Sequence, residues 1–180
     1  MTNEFVSKQL IEIKPLQIID IEQLEPILRQ HICDYMTREP IEEEIAAVKR
    51  YMKGEQDEYG RVRNYFVAKS TDGKVIGCMA STTMDPDMEK HFSELNPNET
   101  IELVNAFVDN NYRGGGVGKK LFDNICSLGR SQGKKHLTVN SGPRYHSSRK
   151  FYDHVCDQDC GFIADKYGPR VNAKTWIKTL

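Results

Sequence analysis

The sequence predicts one mixed α/β (α+β) domain, and three observations predict it. Apolar residues recur at helical spacing in some segments and form short strand-like runs in others, with no internal repeat or low-complexity linker between them. Two of the strand-like runs are joined by a short turn of hairpin composition. A cluster of glycines stands between a strand-like and a helix-like segment. The 180 residues suit a single domain spanning 1–180, whose core needs neither disulfides nor a structural metal.

Taken in order, Ile11 to Ile19 predicts a first strand, and Pro15, which has no N–H to give a ladder, makes it an edge. Asp20 reads as an N-cap with Gln23 in the capping-box position, and Ile21, Leu24, Leu28 and Ile32 mark one helical face. A second helix starts near Pro40, carries Glu42, Glu43 and Glu44 against the positive end of its dipole, and ends at Gly54. Val62 to Lys69 and Lys74 to Thr83, separated by Thr71-Asp72-Gly73, form an antiparallel hairpin. Met84 to Asn98, with Pro86 and Pro97, predicts a long loop of the kind that often carries function. Thr100 to Val108 is a strand, and Val117, Leu121, Ile125 and Leu128 mark a helix ending before Gly133. Lys135 to Asn140 is a further strand, Ser147 to Val155 a helix, and Gly161 to Tyr167 and Val171 to Lys178 are closing strands.

Composition narrows the class. Hydrophobic residues are 38% and charged residues 28%, the balance of a soluble globular chain, and a net charge of -1 offers no basic surface for nucleic acid. No stretch is long and apolar enough to cross a bilayer, so no membrane partner is expected. Met1 to Leu16 includes Glu4, Lys8, Glu12 and Lys14 and lacks the apolar centre of a signal peptide. Cys33, Cys78, Cys126, Cys156 and Cys160 are odd in number and scattered, the pattern of reduced thiols, which assigns the chain to the cytoplasm.

The chemistry concentrates at Tyr112-Arg113-Gly114-Gly115-Gly116-Val117-Gly118-Lys119-Lys120. A turn that leaves a strand and opens a helix gathers unpaired N–H groups, glycines let a phosphate approach the backbone, and the helix dipole favours a diphosphate. Arg113 and Lys119 add cationic contacts. Counting excludes two commoner phosphate motifs. A P-loop requires glycine where Arg113 stands and Ser or Thr where Lys120 stands, and the dinucleotide fingerprint requires glycine at Lys119. What remains is Arg-x-x-Gly-x-Gly.

With the preceding strand ending Ala106-Phe107-Val108, and with Phe151-Tyr152 and Gly161-Phe162 downstream, this segment resembles the GCN5-related N-acetyltransferase (GNAT) superfamily, best from Ile101 to Phe162. The resemblance implies a twisted mixed, mainly antiparallel sheet flanked by helices and splayed beside the cofactor-binding turn, with a slot for a pantetheine arm. It implies acetyl-CoA as co-substrate, held by Phe107, Val108, Arg113, Gly114, Gly115, Gly116, Val117, Gly118 and Lys119. Many members have Asn six residues before the Phe of Phe-Tyr; here that residue is Tyr145, so the pantetheine contact is altered or comes from Asn140.

An alkyl ammonium, with a pKa of about 10.4, must lose a proton before its nitrogen can attack a thioester. Glu102 matches the general-base glutamate of histone-acetylating members, and partial desolvation would raise its pKa into a useful range. The N–H of Val108, next to a β-bulge that the family carries, is the candidate donor to the developing oxyanion, and Tyr152 matches the tyrosine that protonates the leaving thiolate. The expected acceptor is a small-molecule amine or a peptide or protein amine. The acidic run Asp85, Asp87, Glu89, Glu94 and Glu99 offers attraction for such a cation. Cys156, Cys160 and His154 lack a second ligand pair, so no metal is expected; His91, His136 and His146 read as structural or solvated, and Trp176 as core or cleft wall. A CoA sensor without turnover, and another phosphate-bearing ligand at the same turn, stay open as alternatives. The oligomeric state is open as well, although late strands in the resembled family often pair across homodimers.

Overall fold

The computed structural model describes residues 10–180, so the reading of Met1 to Leu16 falls mostly outside the described residues. Seven strands form one sheet in the order β1-β2-β3-β4-β5-β7-β6: β1 Glu12–Pro15, β2 Asn64–Lys69, β3 Val75–Thr82, β4 Thr100–Val108, β5 His136–Ser141, β6 Gln158–Ile163 and β7 Ala173–Thr179. Every pairing is antiparallel except β4 with β5. Five helices cover the sheet: α1 Asp20–His31, α2 Glu42–Met52, α3 Pro86–His91, α4 Val117–Ser131 and α5 His146–Val155.

Both faces are covered because the strands alternate. In β2, Tyr65 and Val67 turn toward a core made with Ile21, Leu24, Leu28, Ile45 and Val48 of α1 and α2, while Phe66 and Ala68 turn to a core made with Leu121, Phe122, Ile125, Tyr152 and Trp176. A third, small core of Met84, Met88 and Phe92 packs α3 against Ile163 and Ile177. Two irregularities in β4 matter most. Cys78 faces Phe107 but Ala80 faces Val104, so β4 carries one extra residue at Asn105 to Ala106, and Asn105 adopts a left-handed φ of 50°. Pairing of β4 with β5 runs only from Thr100↔His136 to Leu103↔Val139, after which the two strands part.

Several elements differ from the sequence expectation. The first strand is shorter, Glu12–Pro15, and it is an edge as expected. Asp20 is the first helical residue of α1 rather than its cap. It is fully buried, where it accepts from Lys69 Nζ at 2.6 Å and from the Gln17 N–H at 3.0 Å, and Gln23 accepts from the Val75 N–H instead of closing a capping box. Pro40 precedes α2 and bridges to Cys33, while Gly54, at φ 92°, follows the helix as predicted. Met84 to Asn98 is not a structureless loop: Asp85 caps α3 by accepting from the Met88 N–H at 2.9 Å, Pro86 occupies the first turn, and Pro97–Glu99 forms a 3-10 turn. β6 begins at Gln158, because the glycine expected to open it, Gly161, lies at φ 79° inside a strand irregularity.

Candidate functional site

The glycine turn leads from β4 into α4. Asp109 accepts from the Asn111 N–H at 3.0 Å and starts a 3-10 turn after β4. Gly114 and Gly116 then take φ of 78° and 83°, and α4 opens at Gly116 with no side chain capping its first N–H groups. A Cβ at Gly114 or Gly116 would meet nothing within 4 Å, so the outer side of the turn is open. These features fit a diphosphate held by main-chain amides. A Cβ at Gly118 would lie 3.5 Å from the Phe151 ring, so the start of α4 sits close beside α5, which carries Tyr152. The Lys119 ammonium meets Asp123 one helical turn on, at 2.5 Å, in an exposed pair.

Arg113 has a partner that sequence reasoning missed. His31, the last residue of α1, donates from Nε2 to the Val108 carbonyl at 2.8 Å and accepts at Nδ1 from Arg113 at 3.2 Å. Burial holds this imidazole below its ordinary pKa, the Arg113 guanidinium pushes the same way, and the ring stacks on Phe107. The Asp109 N–H donates to the Ile76 carbonyl on β3 at 2.9 Å, so by alternation the Val108 N–H and C=O point away from β3, toward the gap where β4 and β5 separate.

That gap opens into a cleft of about 700 Å³. Glu102, Phe107, Asn140, Tyr145 and Tyr152 line it, with α2 and the loop that carries Lys166 and Tyr167 over its rim. Tyr152 is buried between Phe151 and Trp176, and burial raises its hydroxyl pKa, so it stays protonated at neutral pH. Trp176 is fully buried, its indole N–H donating to Asp153 at 2.7 Å. Tyr145 packs edge-on against Phe107.

Glu102 is 1% exposed, and burial, with the Asp85 carboxylate adding to it, pushes its carboxyl up to about 7. Three donors hold it: Arg61 Nη1 at 2.9 Å and the Asp85 N–H at 3.1 Å on Oε2, and Asn140 Nδ2 at 2.9 Å on Oε1. Oε1 keeps a lone pair for a further donor. Asn140 is therefore bound within this network, its carbonyl oxygen accepting from the Tyr167 hydroxyl. Arg61 also meets Asp57 at 2.8 Å, and Lys166 meets Asp85 at 2.6 Å. The acidic run is thus partly neutralised: Asp85 and Asp87 face Lys166, and Glu99 faces Lys135. Arg61, Lys166, Tyr167 and His31 come from segments far apart in sequence with no spacing signal among them. Among the described residues no three His, Cys, Asp or Glu side chains gather around a metal-sized centre.

Residues 27–157 match the family described as acetyltransferase (GNAT) family. None of the curated proteins matches the chain. Among solved structures, an acetyltransferase of the GNAT family from Staphylococcus aureus Mu50 superposes with a TM-score of 0.66 at 16% identity, covering 95% of this chain and 99% of that one. Ribosomal-protein-alanine N-acetyltransferase from Brucella melitensis gives 0.63 at 19% identity, covering 94% and 99%. A Salmonella typhimurium protein in a structure with its cofactor acetyl-CoA gives 0.63 at 14% identity, covering 95% and 94%. At these identities the likeness is one of fold.

Proposed function

Since the chain belongs to the acetyltransferase (GNAT) family, we infer that it transfers the acetyl group of acetyl-CoA to a primary amine by direct attack while both substrates are bound. The observation that carries this reading is Glu102, a buried carboxylate with a pKa near neutrality, on the strand that runs from the cleft to the glycine turn. Acetyl-CoA, when bound, supplies an acyl thioester open to a nucleophilic nitrogen. The main-chain amides from Gly114 to Gly118 and the Arg113 guanidinium hold its diphosphate, and Phe107 and Val108 flank the pantetheine arm in the gap between β4 and β5.

Glu102 takes the proton that the acceptor ammonium must lose, on Oε1, the oxygen with a free lone pair. Its pKa of about 7 leaves it largely ionised just above neutrality and still basic enough to accept. The Val108 N–H, turned into the gap, donates to the carbonyl oxygen as that oxygen gains charge. Tyr152, protonated at neutral pH, gives its proton to the departing thiolate and is reprotonated, through water, by the second proton that the acylated nitrogen loses. Arg61 and Asn140 hold the carboxylate in place while the proton moves.

The deciding experiment measures CoA thiol release from acetyl-CoA across a panel of small amines, polyamines, amino acids and peptides. Acceptor-dependent release is expected from at least one class. Tight acetyl-CoA binding without release for any acceptor would favour a binding module and overturn the proposal.

A further inference from the structure

The loop of residues 164–172, between β6 and β7, reaches both oxygens of Glu102 through one intermediary each. Lys166 Nζ donates to Asp85 Oδ2 at 2.6 Å, and the Asp85 N–H donates to Glu102 Oε2 at 3.1 Å. The Tyr167 hydroxyl donates to Asn140 Oδ1, and Asn140 Nδ2 donates to Glu102 Oε1 at 2.9 Å. The ion pair is deeply buried, with side-chain exposures of 6% for Lys166 and 7% for Asp85. The loop itself is firmly turned: the Tyr167 N–H donates to the Val171 carbonyl at 3.1 Å, and Asp165 and Arg170 occupy left-handed conformations. Tyr167 lies against Gly142, where a Cβ would come within 3.1 Å of its ring.

We propose that Lys166 is a positioning residue for acetyl transfer, holding Asp85 so that Glu102 stays ionisable and correctly aimed; this rests on the reading of Glu102 as the base. The groups facing Glu102 are few: Arg61, itself paired with Asp57, from the segment before β2; Asp85 at the start of α3; Asn140 on β5; and Lys166 and Tyr167 on the loop. Asp85 is the one anion among these that acts on Glu102 at close range, and it disfavours the charged form of Glu102. Lys166 offsets that anion and fixes the peptide N–H that binds Oε2. Without Lys166, the negative charge of Asp85 bears on Glu102 without its cationic partner in a dry site, and the charged form of Glu102 is disfavoured further. Loop and base are therefore coupled, and a change in the loop is felt as a change in the proton affinity of Glu102.

The test needs no acceptor. In protein labelled with 13C at glutamate side-chain carboxyls, with the Glu102 signal assigned by its loss in Glu102→Gln, the midpoint of Glu102 is followed against pH. Lys166→Met is expected to raise it by about one pH unit, a tenfold change in proton affinity. Lys166→Arg is expected to keep it, and Lys166→Met with Asp85→Asn to return it to the wild-type value or below. Asp85→Asn alone preserves the helix cap and is expected to lower it, which keeps the proposal testable if Lys166→Met does not fold. An unchanged midpoint in Lys166→Met or, where that variant does not fold, in Asp85→Asn overturns the proposal, as does an equal rise in the double variant. With an acceptor in hand, the acid limb of thiol release should move with the midpoint while KM for acetyl-CoA holds. A midpoint that moves while the limb stays would keep the coupling and sink the base assignment instead.

Discussion

At Glu102 three donors compensate one buried carboxylate, and the compensation is incomplete: burial and Asp85 together still outweigh Arg61 and the Asp85 N–H. The pH dependence of turnover follows. As the proposed base, Glu102 must be ionised to take a proton, so kcat/KM is expected to fall tenfold per unit below pH about 7 and to level off above it. Glu102→Gln should remove this limb and lower kcat on the order of 10²-fold or more, read from pH profiles of both proteins. For Tyr152→Phe, which keeps the ring between Phe151 and Trp176, kcat is expected to drop by about 10²-fold with acetyl-CoA affinity retained. A fall in affinity equal to the fall in rate would show a packing role instead.

Among the elements, α4 is where backbone conformation alone leaves the proposed diphosphate surface open. Gly116 has left-handed φ, and a Cβ there would meet no protein atom, so substitutions separate strain from charge. Gly116→Ala carries the strain, about 1 kcal/mol. Gly116→Asp adds a carboxylate at the site of the diphosphate and is expected to weaken acetyl-CoA binding at least fivefold beyond the alanine variant, by calorimetry. Equal affinities would place the diphosphate elsewhere. This turn was legible in sequence because its signal is local: glycines, a strand before, helical periodicity after. The hairpin of β2 and β3 was legible for the same reason. What escaped was set by tertiary contact. The bulge at Asn105 depends on the register of β3, Asp20 leaves its capping role for Lys69 on β2, and the partners of Glu102 are brought in from the segment before β2, the start of α3 and β5. The short helix α3 was a local miss, since Asp85-Pro86 is a start signal that even a six-residue helix can use.

Over the whole molecule, retaining a carboxylate in a dry cleft has a cost in stability whose pH window can be stated. The native pKa of Glu102, about 7, lies above its ordinary 4.5, so the folded state holds this proton more tightly than the unfolded one. Its contribution is therefore fully present below pH 4.5 and is lost as pH rises to about 7. Glu102→Gln cannot ionise, so its melting temperature relative to wild type is expected to climb between pH 4.5 and 8, measured by calorimetry. A difference that stays flat across that range would contradict the raised pKa. The extra residue in β4 has a consequence at this scale too. Because it reverses the strand's inward and outward sense partway along, Phe107 shares a side with Glu102 while Val108 turns to the opposite core. Deleting Asn105 would straighten the strand and leave Ala106, Phe107 and Val108 on their present faces, with Phe107 still opposite Cys78. Adding or removing one residue elsewhere in β4 would instead exchange the faces of one half unless the bulge moved to absorb it, which makes the length of this strand, as much as its composition, a determinant of what lines the cleft.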